Sequence, residues 1–101
     1  MQLKDYEKFV KNSTYTGGKY WYACLGLAGE TGETVDEIKK VMRDNGGIVT
    51  TPYRDKLRLE MGDVMWYLTR LALDLDLSLE EILEANVEKL IDRRKNGKKA
   101  G

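Results

Sequence analysis

The stretch Leu57-Arg58-Leu59-Glu60-Met61-Gly62-Asp63-Val64-Met65-Trp66-Tyr67-Leu68-Thr69-Arg70-Leu71 decides how the chain folds. Apolar residues recur at Leu57, Met61, Val64, Leu68, Leu71 and Leu75, the three-and-four spacing that places side chains on one helical face. No proline interrupts it, and the pattern predicts a helix from about Tyr53 to Asp76. Upstream, Leu27, Thr31, Val35, Ile38 and Met42 repeat the spacing, so a second long helix is expected from about Lys19 to Arg43. Asn45-Gly46-Gly47 is its stop signal. A short helix from about Leu3 to Asn12 precedes it, with Gly17-Gly18 as the break. Ser78 followed by Glu81 is a capping box, which starts a last helix running to about Arg94. Residues 95–101 read as a frayed, solvated tail. Strand-forming residues cluster only at Ile48-Val49-Thr50-Thr51, too few for a sheet.

The expected fold is therefore all-α, of the four-helix bundle type, in a single domain over residues 1–101. A chain of 101 residues buries only a modest core, so association into a dimer or larger assembly fits its size. Lys plus Arg and Asp plus Glu number 17 each, so no net field points to a nucleic-acid polymer or a membrane. No apolar run approaches the roughly 18 residues of a membrane span, and no apolar leader follows Met1; a soluble, cytoplasmic protein is expected. Histidine is absent and Cys24 is the one cysteine. Ser-His and Cys-His catalysis, zinc held by histidine or thiolates, and intrachain disulfides are excluded. Cys24 is read as a small buried hydrophobe. Metal chemistry, if present, has to use oxygen ligands.

Those ligands have candidates. Glu30, Glu33 and Glu37 on the second helix fall within roughly 60° of one another at about 100° per residue, and Glu60, Asp63 and Tyr67 do the same on the third. In both helices the acidic line borders the apolar stripe, so packing the stripes together brings the acids near each other. Like charges about 4 Å apart repel by roughly 4 kcal/mol at an effective dielectric of 20. A hard divalent cation reverses that sign; magnesium suits carboxylates, waters and phosphates, with manganese as substitute. The plain alternative is a solvated acidic face, because a lone Glu-x-x-Glu or Glu-x-x-Asp is common on helices. What favours a site is the repeated spacing on consecutive helices, together with Gly26, Ala28, Gly29 and Gly32 around the first pair, small residues that let a backbone or ligand approach.

The runs Leu25-Gly26-Leu27-Ala28-Gly29-Glu30-Thr31-Gly32-Glu33 with Asp36-Glu37-Ile38-Lys39-Lys40, and Leu59-Glu60-Met61-Gly62-Asp63-Val64-Met65-Trp66-Tyr67-Leu68, resemble the two motifs of MazG-type nucleotide pyrophosphohydrolases. Glu84-Ala85-Asn86-Val87-Glu88-Lys89-Leu90 with Arg93-Arg94 resembles that family's last helix. The resemblance covers about Trp21 to Arg94. It implies an all-α fold related to dimeric dUTPases and phosphoribosyl-ATP pyrophosphohydrolases. It implies Mg²⁺ held by Glu30, Glu33, Glu60 and Asp63, and cleavage of nucleoside triphosphates to monophosphate and pyrophosphate. It also implies dimers or tetramers, and nucleotide-pool house-cleaning as the theme. Asn86 and Lys89 are substrate-side residues by the same resemblance, and Arg93 shares a helical face with Lys89. Tyr67 matches the position of an aromatic that stacks on the base in related enzymes, and Trp21 could line that pocket; packing is the alternative for Trp21. Glu33 is the candidate general base, central between Glu30 and Glu37, although a metal-activated water needing no dedicated base fits as well. Two other readings stay open: a narrower dUTPase-like or phosphoribosyl-ATP hydrolase, and a helical dimerisation or regulatory module without catalysis.

Overall fold

The computed structural model describes residues 1–15 and 18–97. Among them are four helices and no strand: α1 (Leu3–Lys11), α2 (Tyr20–Asn45), α3 (Thr51–Asp74) and α4 (Leu79–Lys95). All four expected helices are present, with ends displaced by a few residues. α2 runs two residues past Arg43 before Gly46 closes it in a left-handed conformation, φ +59°, which glycine adopts without strain. α3 begins two residues before Tyr53, because Pro52 falls at the start of the helix where its missing N–H has no partner to lose. It ends at Asp74 rather than Asp76: the Leu77 N–H turns back to the Ala72 carbonyl at 2.9 Å, with Asp76 at φ +57°. Ser78 and Glu81 form the expected capping box. Lys95 belongs to α4, so the expected tail starts later; Gly17 and residues 98–101 lie outside the described residues.

α2 and α3 form an antiparallel hairpin. Glu37 meets Lys56, Glu30 meets Glu60 and Asp63, and Gly26 meets Tyr67, so residue numbers rise on one helix as they fall on the other. The seam between them departs from the expected stripe. On α2 the inward line is Ala23, Gly26, Glu30, Thr34, Glu37 and Val41, all buried or half-buried, whereas Val35, Ile38 and Met42 are exposed. Met61 and Leu75 on α3 are exposed as well, while Thr69 and Ala72 are buried. Periodicity identified the apolar face correctly, but the two helices meet along the neighbouring line, which carries small residues and acids. Gly26 shows why: a Cβ there would overlap the Tyr67 ring, with Cζ at 2.7 Å. The glycine lets the ring lie flat against α2.

α1 packs on α3 and buries Val10 completely. Arg70 of α3 reaches the Val10 carbonyl at 3.4 Å and Asp74 at 3.3 Å, with its guanidinium 4.5 Å over the Tyr15 ring. α4 packs on α1 and makes no comparable contact with α2 or α3. Its N-terminal Leu79 N–H donates to the Glu7 carboxylate at 2.7 Å, so a side chain of α1 helps cap α4. The fourth helix thus leans away from the hairpin, and a closed four-helix bundle is not completed within one chain. None of the described helices is long and apolar enough to cross a membrane.

Candidate metal centre

Glu30 of α2 and Glu60 and Asp63 of α3 each bring a carboxylate oxygen to within 4.8 Å of the others. Glu30 and Glu60 are half-buried in the seam and Asp63 is exposed at its edge. Burial pushes the Glu30 carboxyl above its ordinary value of 4.5, and the charges of Asp63, Glu60 and Glu33 push the same way. Glu33 therefore lies close enough to be felt, although it is exposed and stands outside the trio. Tyr6 of α1 flanks the other side; burial and then the Asp63 charge raise its phenol.

The contrast with neighbouring acids is informative. Asp36, Glu37, Asp44, Asp55 and Asp74 each have a lysine or arginine nitrogen within 4 Å. Among the described residues no such ion pair reaches Glu30, Glu33, Glu60 or Asp63. The seam therefore holds a group of carboxylates without compensation, at a spacing that a small hard cation spans with several oxygen ligands. One turn further along both helices, Glu37 is only 6% exposed. Its Oε1 accepts from Lys40 at 3.2 Å and Lys56 at 3.1 Å. The hydrogen bond from Lys56 is the main reason its carboxyl lies below the ordinary value. Sequence reasoning placed Glu37 on the acidic line but missed this cross-link. The signal was there, since Lys56 precedes Glu60 by one turn as Glu37 follows Glu33.

The other candidate residues divide. Tyr67 is wedged between α2 and α3 against Gly26 and meets Trp66 edge-on at 5.1 Å. Trp66 continues to Tyr15 at 5.9 Å, Tyr15 to Tyr22 at 6.0 Å and Tyr22 to Trp21 at 6.4 Å. Trp21 and Tyr67 thus end one aromatic chain beside the seam, and Trp21 is exposed. Asn86 and Lys89 are exposed and Arg93 half-buried on α4, the helix that leans away; the chain does not bring them onto its own acid trio. Cys24 is exposed, not buried, because the inward line of α2 passes through Ala23 and Gly26 instead.

Residues 23–98 match the family model of the MazG nucleotide pyrophosphohydrolase domain. The chain belongs to the MazG family. The Gene 37 protein of Mycobacterium phage L5 is 43% identical to it over 76 residues, covering 75% of this chain and 67% of the phage protein. That relative's name states no activity. No solved structure matches the chain. The MazG match takes in all four motif acids and α4, but not α1, whose Tyr6 and Glu7 reach the matched region from outside it.

Proposed function

We propose that this MazG-family chain hydrolyses nucleoside or deoxynucleoside triphosphates to the monophosphate and pyrophosphate, using Mg²⁺, with Mn²⁺ as a substitute. The observation that carries the reading is the uncompensated trio Glu30, Glu60 and Asp63 in the seam. The donor set is all carboxylate oxygen, half-buried and partly open to solvent, which fits a hard cation that keeps waters and phosphates as its other ligands. Glu30, Glu60 and Asp63 would hold the ion, with Glu33 completing the set from its exposed position. Bound there, Mg²⁺ would neutralise triphosphate charge and polarise the phosphorus under attack.

The chain's own groups supply the rest. Glu33, exposed and one turn from Glu30, would take the proton of the attacking water. The water oxygen bonds to the α-phosphorus, the bond from that phosphorus to the α–β bridging oxygen breaks, and pyrophosphate leaves. Tyr67 and Trp21 bracket a strip of aromatic surface on which a base can stack. Asn86, Lys89 and Arg93 are the groups assigned to the phosphates that the ion leaves uncovered, although α4 holds them away from the trio of its own chain. The protein works in the cytoplasm, as a homo-oligomer, in clearing nucleotides from the pool.

The test is pyrophosphate release across the ribo- and deoxynucleoside triphosphates with Mg²⁺, alongside Glu60→Gln and Asp63→Asn. Wild type should release pyrophosphate and both variants should lose at least about 100-fold, the lower range for a positioned catalytic group. Orthophosphate release would mean that a different bond is cut. In parallel, Mg²⁺ at 100 times its Kd should stabilise the wild-type fold by about 2.7 kcal/mol, and Glu60→Gln should abolish the shift. An unshifted wild-type melting curve at millimolar Mg²⁺ would remove the cation site.

A further inference from the structure

Arg70 follows Asp63 by seven residues, so it stands two turns further along the same face of α3, with Trp66 and Tyr67 between them. It pairs with Asp74 at 3.3 Å, and the two side chains are only 16% and 11% exposed. The guanidinium also donates to the Val10 carbonyl at 3.4 Å and covers the Tyr15 ring at 4.5 Å. The Tyr15 hydroxyl reaches Asp74 Oδ2 at 3.5 Å and the Lys19 carbonyl at 3.3 Å. Burial, and then the Asp74 charge, raise that phenol above its ordinary value of 10.0, so it keeps its proton and serves as a donor. One clasp on α3 thus ties down the end of α1, the connection after it and the residue before α2. Val10 and Tyr15 both precede residue 23, where the MazG match begins.

As a mere fastener this clasp is costly. Taking two charges out of water offsets most of their attraction, and well-packed apolar side chains of the same volume hold elements together as well. Arg70 Nε is moreover buried without a hydrogen-bond partner among the described residues. What a planar guanidinium and a carboxylate supply is direction. The guanidinium fixes the face of the Tyr15 ring and Asp74 fixes its hydroxyl. Tyr15 then meets Trp66 edge-on at 5.9 Å, and Trp66 meets Tyr67 at 5.1 Å, so the indole is held from both sides. We infer that Arg70 and Asp74 are positioning residues for the nucleobase: they orient Tyr15, Tyr15 orients Trp66, and the aromatic row keeps the shape on which a base stacks. Arg70 lies about 10 Å along α3 from Asp63, so it acts through the row and not on the ion or the phosphates.

The ligand's being a nucleotide rests on the hydrolase reading above; the positioning role is tested without turnover. Isothermal titration with Mg²⁺ compares two probes: an α,β-imido nucleoside triphosphate, which resists cleavage at that bond, and inorganic tripolyphosphate, which has no base. Wild type should bind the nucleotide analogue more tightly than tripolyphosphate. Arg70→Met should raise the Kd of the analogue about tenfold, within the range of one base–aromatic stack, and leave that of tripolyphosphate unchanged. Asp74→Asn keeps the side-chain shape and should show the same split with a smaller rise; it carries the test if Arg70→Met does not fold. In turnover, both variants should raise KM and leave kcat as in wild type, because the acid trio is untouched. An analogue Kd equal in wild type and variants would overturn the inference. So would a loss shared by both probes, which marks damage to the hairpin and not to the row, or a wild type that binds the two probes equally. Wild type that binds the analogue more tightly but releases no pyrophosphate from natural nucleotides would remove the hydrolase reading, and the split between the probes would still decide the role of the clasp.

Discussion

Glu33 and Glu37 are one turn apart on α2 and sit in opposite surroundings: the first faces solvent beside the acid trio, the second is buried between Lys40 and Lys56. Glu37 is therefore a fastening between α2 and α3, and its charge has a stability consequence with a definite sign. Its folded carboxyl lies below 4.5, first because of the Lys56 hydrogen bond and then the Lys40 one, against the opposing effect of burial. A carboxylate lowered on folding binds fewer protons folded than unfolded. Its stabilisation is complete above the unfolded value and is lost as pH falls through the folded one. Lys56→Met should thus make acid unfolding begin at higher pH than in wild type, followed by circular dichroism from pH 7 downward; superimposable acid profiles would show the pair to be incidental. Gly26 makes a second prediction at this scale. Alanine there gains about 1 kcal/mol of helix propensity. It also drives a methyl into the Tyr67 ring, and overpacking of this kind costs about 1–3 kcal/mol. Gly26→Ala should be destabilised on balance in urea titrations and should weaken substrate binding if Tyr67 carries the base. The acid pairs and Tyr67 were legible as a pattern, because helical spacing alone puts them on one face. The ring's dependence on Gly26 and the burial of Glu37 were not, since both need the register of α2 against α3, which no spacing within one helix contains.

At the scale of elements, punctuation in the sequence was read more accurately than packing. Gly46-Gly47 ends α2 and the Ser78–Glu81 box starts α4, because both act through backbone conformation and caps within a few residues. The stripe Val35, Ile38 and Met42 was expected inside and is exposed, because periodicity tells which side of a helix is apolar but not what lies opposite. The α3–α4 junction is the element on which this matters most. Its order depends on the Glu81 N–H donating to Ser78 Oγ at 3.1 Å and on Glu7 receiving the Leu79 N–H at 2.7 Å. Ser78→Ala should cost about 1 kcal/mol, the usual value of an N-cap. Glu7→Ala should cost a similar amount and also free α4 from α1. Amide hydrogen exchange would separate the two: Glu7→Ala should speed exchange at the first turn of α4 and in α1 together, Ser78→Ala in α4 alone. Equal protection of α1 in both variants would mean that Glu7 does not couple the helices.

For the whole molecule, the deciding quantity is apolar surface that one chain cannot cover. The seam between α2 and α3 is spent on small residues and on acids that repel unless a cation joins them, so Val35, Ile38, Met42 and Met61 stay exposed within the chain, and the assembly proposed above is what would cover them. Intermolecular burial makes stability depend on concentration. Each tenfold rise in chain concentration should stabilise a dimer by about 1.4 kcal/mol, visible as a melting temperature that climbs between micromolar and hundred-micromolar protein. Leu83→Ser and Val87→Ser should each remove roughly 1–2 kcal/mol of association, given that half of each side chain is left to be buried. That corresponds to about a tenfold rise in the dimer dissociation constant per substitution, measured by sedimentation equilibrium. Helix content at high concentration should be unchanged, since both side chains project from α4 without contributing to its caps. A melting temperature independent of concentration, with wild type sedimenting as a monomer, would mean that the exposed stripes have no role in assembly, and the hairpin would then have to hold its four acids with only solvent and cation around them.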